Sequence, residues 1–484
     1  PRSTLFPYTT LFRSIRHHAE APVTHLMAGE FFLRENRIGD AEKHAGIALS
    51  IRPDYEDALM LLGAVNLARG RYETVYELMD RVLLQNRGNA SAWYVKGLSA
   101  LRLGRPKEAI TLLRNLVVLK PEDEIARITL EDTLREFLPM EDPLRKNYAD
   151  YHFQRGDRFQ ERNLFSRAHE EYRRGLQIDP YSRRGRIAFS DILSKLGFRS
   201  RSLSALTFLK EQKLSDRDID EKIETAESLL EDRVSRDWGV EEGIPAGQRF
   251  VLSVFVDSSA GFLLHHDSGS YLARYFGDLL VGSPRFTLAT EPRAVSDYGI
   301  AFQESRQRGS EYFILLSFSE TEREFSVSAD LYLSRTGGKI DSFRIYRTGN
   351  DRIQNGLIRL TADLTERFPL RGSLMKREFE RGLVNLGGLD GLKAGDSLLI
   401  FPEKAVTLKH DVLQFAYKPE DILGTLSVTR TDDAVSEGTI EKRGFFDRIN
   451  PGDTVIPGKP PEKAAENGGE MPEVPLYKKI LRIR

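Results

Sequence analysis

The stretch 56-EDALMLLGAVNLARGRYETVYELMDRVLLQNRGN-89 decides the fold. Apolar residues recur every third or fourth position on both sides of a Gly-containing break, ARGRYETV, so the stretch reads as two short helices joined by a turn. The same skeleton lies 34 residues to either side: Gly29, Gly63 and Gly97; Ala41, Val75 and Ala109; Ala48, Val82 and Leu116. The neighbouring breaks are ENRIGDAE and RLGRPKEA, and Pro53 and Pro121 stand two periods apart. A fixed period of this size marks stacked supersecondary units, each unable to bury its apolar face alone.

The physics of the unit is specific. Two antiparallel helices approach closely where the Gly of the first meets the small residue of the second, and Pro stops the second helix before the next unit. Phe32 and Trp93 are of a size to fill the space between helices. The pattern resembles the tetratricopeptide repeat, with units near 22–55, 56–89 and 90–123. A fourth, at about 149–182, matches through Gly156, Phe159, Ala168, Tyr172 and Pro180, and a degenerate fifth covers 183–216. The fourth is out of register because EIARITLEDTLREFLPMEDPLRKNY intervenes. The solenoid is expected over 15–235, ending in the amphipathic DIDEKIETAESLLEDRV as a cap, with a linker at 236–248.

The period then changes. From 249 to 369 the order is strand (FVLSVFV), helix, strand (RFTLAT), helix, apolar strand (EYFILLSF), two alternating strands joined at RTGGK, and a closing helix. This βαβαβββα order predicts an α/β sandwich. It resembles the amino-terminal domain of TolB and the curli secretion lipoprotein family through VFVDSSAG and SRTGGKI. Residues 370–458 are β-rich, with Gly-Asp turns leading into strands at GGLDGLKAGDSLLIF and FFDRINPGDTVIP, which predicts a small all-β barrel. VNLGGLDGLKAGDSLLIF and LGTLSVTRTDDAVSEGTI resemble the carboxy-terminal domain of the flagellar assembly protein T family, which also places a TolB-type domain before it. That resemblance implies a cell-envelope or flagellum-associated setting. Residues 459–484 read as a polar linker ending in a basic tail, LYKKILRIR.

Composition bounds the chemistry. Forty per cent of the 484 residues are hydrophobic and no apolar run nears the ~20 residues that span a bilayer. Net charge is −1, so no global field recruits nucleic acid. Residues 155–201 hold twelve Arg or Lys against six acids, but are expected to lack the interleaved exposed aromatics of a single-strand platform. Residues 211–242 hold twelve acids against five bases, which suggests that the acidic helix folds back on the basic repeats. Without Cys there is no disulfide, thiol nucleophile or Cys-zinc site.

His265-His266-Asp267 is the best catalytic or metal candidate, at a strand end where α/β sheets often bind ligands. Adjacent histidines diverge, and Asp267 or Ser268 is expected instead to cap the next helix. Gly387, Gly388, Gly391 and Gly395 lack the Lys-Ser/Thr ending of a phosphate loop and read as turn glycines. No enzyme, cofactor or metal is expected. The candidate binding surface is the groove that the first helix of each unit presents: Leu26, Glu30 and Leu33; Met60, Ala64 and Leu67; Tyr94, Leu98 and Leu101. The Lys/Asn carboxylate clamp of some family members is unmatched, with Leu26, Glu30 and Ser91 in its places, so an amphipathic helix or extended protein segment fits better. A small-ligand or metal sensor using the α/β domain is the alternative.

The first residues, PRSTLFPYTTLFRS, resemble a translated short-read sequencing adapter. A start of that kind carries no information on a signal peptide, so a periplasmic or envelope location stays open beside a cytoplasmic one.

Overall fold

A computed structural model describes residues 17–228, 233–240, 247–258 and 265–458; the adapter-like start and the basic tail lie outside them. Three helix pairs open the chain: α1 Pro22–Arg34 and α2 Ile38–Ile51, α3 Glu56–Ala68 and α4 Tyr72–Gln85, α5 Ala90–Arg102 and α6 Pro106–Leu119. The turn in each pair needs one left-handed residue, and Asn36 (φ 57°), Gly70 (φ 69°) and Gly104 (φ 72°) supply it at the repeat spacing. Ala41, Val75 and Ala109 are fully buried. The repeat glycines, however, face large side chains. A Cβ on Gly29 would fall 2.5 Å from Leu61 Cδ2, on Gly63 2.6 Å from Met79 Cε, and on Gly97 3.1 Å from Leu113. The glycine thus opens a slot for a bulky neighbour.

The intervening segment is structured. Glu124–Phe137 forms a helix of its own, α7, and α8 (Pro143–Glu161) begins before the expected fourth unit. α8 pairs with α9 (Phe165–Ile178), and α10 (Arg183–Lys195) with α11 (Arg199–Glu211). Gly175 and Gly185 both lie against the Phe153 ring. The acidic helix α12 (Arg217–Ser228) buries Ile219 and Ile223 against Leu206 and Leu209 of α11, and Asp216 just before it pairs with Arg183.

The α/β domain has one sheet in the order β2-β1-β4-β5-β6, with β3 also pairing β1. Its elements run β1 Phe250–Asp257, α14 Gly269–Val281, β2 Phe286–Leu288, β3 Arg293–Val295, α15 Tyr298–Gln307, β4 Tyr312–Glu320, β5 Glu324–Leu333, β6 Lys339–Thr348 and α16 Arg352–Arg367. The strand expected at RFTLAT is shortened to 286–288, and a further short strand at 293–295, not expected from the sequence, also pairs with β1. β7 Gly372–Glu378, β8 Arg381–Val384, β9 Ser397–Phe401, β12 Gly424–Thr431, β13 Ser436–Lys442 and β14 Thr454–Pro457 close a barrel. Solenoid, α/β sandwich and barrel are thus the fold class read from the sequence.

Among the links that join these parts, two are made by apolar side chains at the barrel. The hairpin β10 Thr407–Lys409 and β11 Gln414–Ala416 leaves the barrel and lays Leu408 and Leu413 into the α/β core beside Phe250 and Phe368. On the other side, Trp238, after the short helix α13 (Val234–Asp237), lies in the stretch read as linker. It is buried against Leu383 and Val435 of the barrel, with its Nε1–H donating to Glu437 Oε2 at 2.8 Å.

Candidate functional site

The nine groove residues divide in two. Leu26 belongs to the core between α1, α2 and α3, packed with Ala45, Ala48 and Tyr55. Tyr94 and Leu98 are fully buried. Tyr94 shares a 3.3 Å hydrogen bond with Thr129 Oγ1 of α7, and its ring meets His265 edge-on at 4.7 Å. Two of the third repeat's three groove residues are therefore covered by the chain itself. Glu30 is exposed, and Leu33, Met60, Ala64, Leu67 and Leu101 are half-buried.

His265 closes the groove through α7. Asp123 is the N-cap of α7: one carboxylate oxygen accepts from the Ala126 N–H at 3.0 Å, and the other meets His265 Nε2 at 2.8 Å. On the far side of the ring, Nδ1 lies 3.0 Å from Glu320 Oε2, at the end of β4. A carboxylate on each nitrogen requires a proton on each, so the ring is an imidazolium. Burial opposes that charge, but the hydrogen bonds to Asp123 and Glu320 outweigh it and push the pKa up to about 10. Burial likewise works against the Asp123 carboxylate, and the His265 hydrogen bond holds it below its ordinary range. Asp267 adds an exposed ion pair with Arg102 of α5.

A second ring repeats the arrangement deeper in the solenoid. His152 of α8 is fully buried, with Nε2 2.8 Å from Glu131 of α7 and Nδ1 2.7 Å from Glu171 of α9. Arg174 donates to Glu131 at 2.7 Å, pairs with Glu124, and lays its guanidinium 4.9 Å from the Tyr275 ring of α14. Burial raises the Glu131 carboxyl, yet Arg174 and His152 bring it down to about 2. The cluster continues into the α/β domain. Gln354 of α16 donates to Glu171 at 2.9 Å, and Arg155 bridges Glu171 and Asp351 at 3.1 and 2.7 Å. Arg135 meets Asp278, and Arg274 meets Asp132, across the α7–α14 contact.

The helix that follows the third unit is thus a main seat of the α/β domain. Asp123 in sequence reads as an ordinary N-cap, and Glu131 and Glu171 as solvated helix charges. The one available signal was their place among core residues: Glu171 directly precedes the buried Tyr172. The expected helix cap after His266 takes another form. Asp267 is left-handed (φ 57°), Ser268 donates its hydroxyl to the His265 carbonyl at 2.8 Å, and α14 starts without a side-chain cap. His265 is committed to two carboxylates, and the strand end at Glu320 faces α7. The sensor alternative therefore finds that place filled. Among the described residues no group of three or more His, Asp or Glu is arranged to hold a metal ion. Gly391 (φ 90°) and Gly395 (φ 95°) serve turns in the barrel.

Two family models match parts of the chain: one described as anaphase-promoting complex (cyclosome) subunit 3 over residues 34–116, and the second domain of the TPASS_0648 family over 249–366. No curated protein matches significantly. Similar solved structures include YrrB, described as a tetratricopeptide protein with an unusual peptide-binding site (15% identity, 44% of this chain and 97% of that one, TM-score 0.26). The Cut9–Hcn1 tetramer of the anaphase-promoting complex aligns at 14% identity over 45% of each chain (TM-score 0.27). The first repeat domain of Spaghetti, bound to an HSP90 peptide, aligns at 12% over 24% of this chain and 94% of that one (TM-score 0.24). Nothing about this chain's own partners follows from them.

Proposed function

We propose that this tetratricopeptide-repeat chain is a non-enzymatic scaffold that holds a protein partner in the open half of its groove. The carrying observation is the division of the solenoid. From α5 onward the repeats are bonded to the chain's own downstream domains. Among the described residues, no hydrogen bond or ion pair links α3 and α4 to the α/β domain or the barrel. Glu30, Leu33, Met60, Ala64 and Leu67 line that half as a mainly apolar strip with one acidic residue, which suits an amphipathic helix or extended segment carrying a basic side chain. Rigid attachment of two further domains to one solenoid gives multivalent holding, in which a weak second contact gains from a high effective concentration.

The setting we propose is a cell-envelope or flagellum-associated assembly, supported by the resemblance of the two downstream domains to TolB-type and flagellar assembly protein T domains. Full-length chain and a Met60→Glu/Leu67→Glu variant would be cross-linked in native cells and their partners compared. Envelope or motor components captured by the wild type and lost from an equally stable variant are expected. Recovery of only cytoplasmic enzymes, or an identical set from both proteins, would sink the proposal.

A further inference from the structure

The α/β domain has a second end, away from α7, where the sheet begins. A cleft of about 330 Å³ opens there between the last turn of α15, the residues before β4, the end of β5 and the tip of the barrel's β10–β11 hairpin. Its polar lining comes from Arg306, Glu311, Ser334, Arg335 and His410.

Three features of that lining point the same way. Arg306 and Arg335 are exposed cations that form no ion pair among the described residues. Ser334 is 1% exposed, and its hydroxyl has no hydrogen-bond partner although its backbone N–H is satisfied by the Glu311 carbonyl at 3.0 Å. A buried hydroxyl without a partner is unfavourable in the free protein and is rare in native structures. His410 lies with Nδ1 2.7 Å from the Tyr312 hydroxyl. Tyr312 is fully buried, and its phenol holds the ring of His410 at the rim of the cleft. The cleft therefore offers the donors of two guanidiniums, with the unpartnered Ser334 hydroxyl and the His410 imidazole in its lining. Against these stands one carboxylate, Glu311, whose Oε2 already accepts from the Val251 N–H at 3.0 Å and whose other oxygen is available to accept.

We propose that this cleft binds a small hydroxylated phosphate monoester, with the phosphate on Arg306, Arg335, Ser334 and His410 and a ligand hydroxyl on Glu311. Paired guanidiniums suit the tetrahedral oxyanion, and the volume is that of a small-metabolite site. Because His410 belongs to the barrel's hairpin and the other groups to the α/β domain, the ligand would tie the two domains together. The site is independent of the groove and of the proposed scaffold role.

Full-length protein would be titrated with inorganic phosphate and with glycerol 3-phosphate by calorimetry and thermal shift, with glycerol and with sodium chloride at matched ionic strength as controls. Saturable binding is expected, tighter for glycerol 3-phosphate than for phosphate, absent with glycerol, and weakened at least tenfold in Arg306→Gln/Arg335→Gln and in Ser334→Ala. Ser334→Ala without ligand is expected to melt no lower than wild type, since its hydroxyl has no partner to lose. Three results would overturn the proposal: a response that follows ionic strength alone, binding retained by the double arginine variant, or an unliganded Ser334→Ala that melts several degrees lower.

Discussion

Replacing His265 with Ala should loosen the joint between the solenoid and the α/β domain. The substitution removes the cation that lies 2.8 and 3.0 Å from the Asp123 and Glu320 carboxylates and leaves only Arg352, 3.6 Å from Glu320, to offset them. Removing one partner of a buried ion pair typically costs about 3–5 kcal/mol, because the remaining charge stays desolvated. A second route gives a similar figure. Moving a histidine from 6.5 to about 10 corresponds to about 5 kcal/mol of preference for the charged ring in the folded state. The sign is that of a raised base: the contribution is complete below pH 6.5 and is lost as pH rises through about 10. Hydrogen exchange on α7 and α14 reads the joint directly, which matters because a chain of several domains need not unfold in one step. At pH 7 the variant should exchange faster across 124–137 and 269–281 while α3 and α4 keep wild-type protection. Above pH 10 the two proteins should converge. Equal protection at pH 7, or a wild-type joint that opens between pH 6 and 8, would refute the doubly bonded imidazolium as the group that holds it.

Further predictions test the packing. Gly156→Ala should destabilise the solenoid by about 1–3 kcal/mol despite the better helix propensity of Ala, since its Cβ would come 2.6 Å from the Tyr172 ring. Gly46→Ala, where a Cβ meets nothing within 4 Å, should stabilise by up to about 1 kcal/mol; urea midpoints separate the two signs. Asp132 lies beside Arg274, yet burial dominates and raises its carboxyl to about 6. The folded state thus favours the protonated form, and stability should fall as pH rises from about 4 through 6. Asp132→Asn should remove that fall and be more stable at pH 7 by roughly 1–3 kcal/mol; a variant with the wild-type pH profile would contradict it. Trp238→Phe deletes the donor to Glu437 and should weaken the anchoring of α13 on the barrel by about 1 kcal/mol, read as faster tryptic cleavage at Arg236.

The sequence made the repeats legible because their determinants are local. A left-handed residue at 36, 70 and 104, and a glycine facing a bulky side chain at 29, 63 and 97, recur at one spacing, and each works within its own pair of units. The strand order of the α/β domain was legible for the same reason: alternation and turn residues act over a few positions. The groove was only half legible. Tyr94 and Leu98 carry the same pattern as Met60 and Ala64, and nothing in their own repeat tells that the first pair is fully buried, with His265, some 170 residues on, against Tyr94, while the second is half-buried.

The break in register shows where local reading stops and long-range pairing takes over. A regular fourth unit would present another copy of the same small-residue seam. α7 instead carries Glu124, Glu131 and Asp132 on faces that meet Arg174, His152 and Arg274. Glu124 and Glu131 are unfavourable to bury alone and are satisfied only when α8 and α9 have assembled around them, while Asp132, still penalised by burial, meets its cation only when the α/β domain has docked. An apolar seam would accept many docking angles with similar free energy. A set of buried charges that must all find partners accepts few, as in other cores where polar groups set register. The loss of repeat periodicity after Pro121 is therefore itself informative. It marks the point at which the solenoid, while still stacking helix on helix, begins to specify the orientation of the α/β domain, through hydrogen bonds and ion pairs that, among the described residues, do not reach α3 and α4.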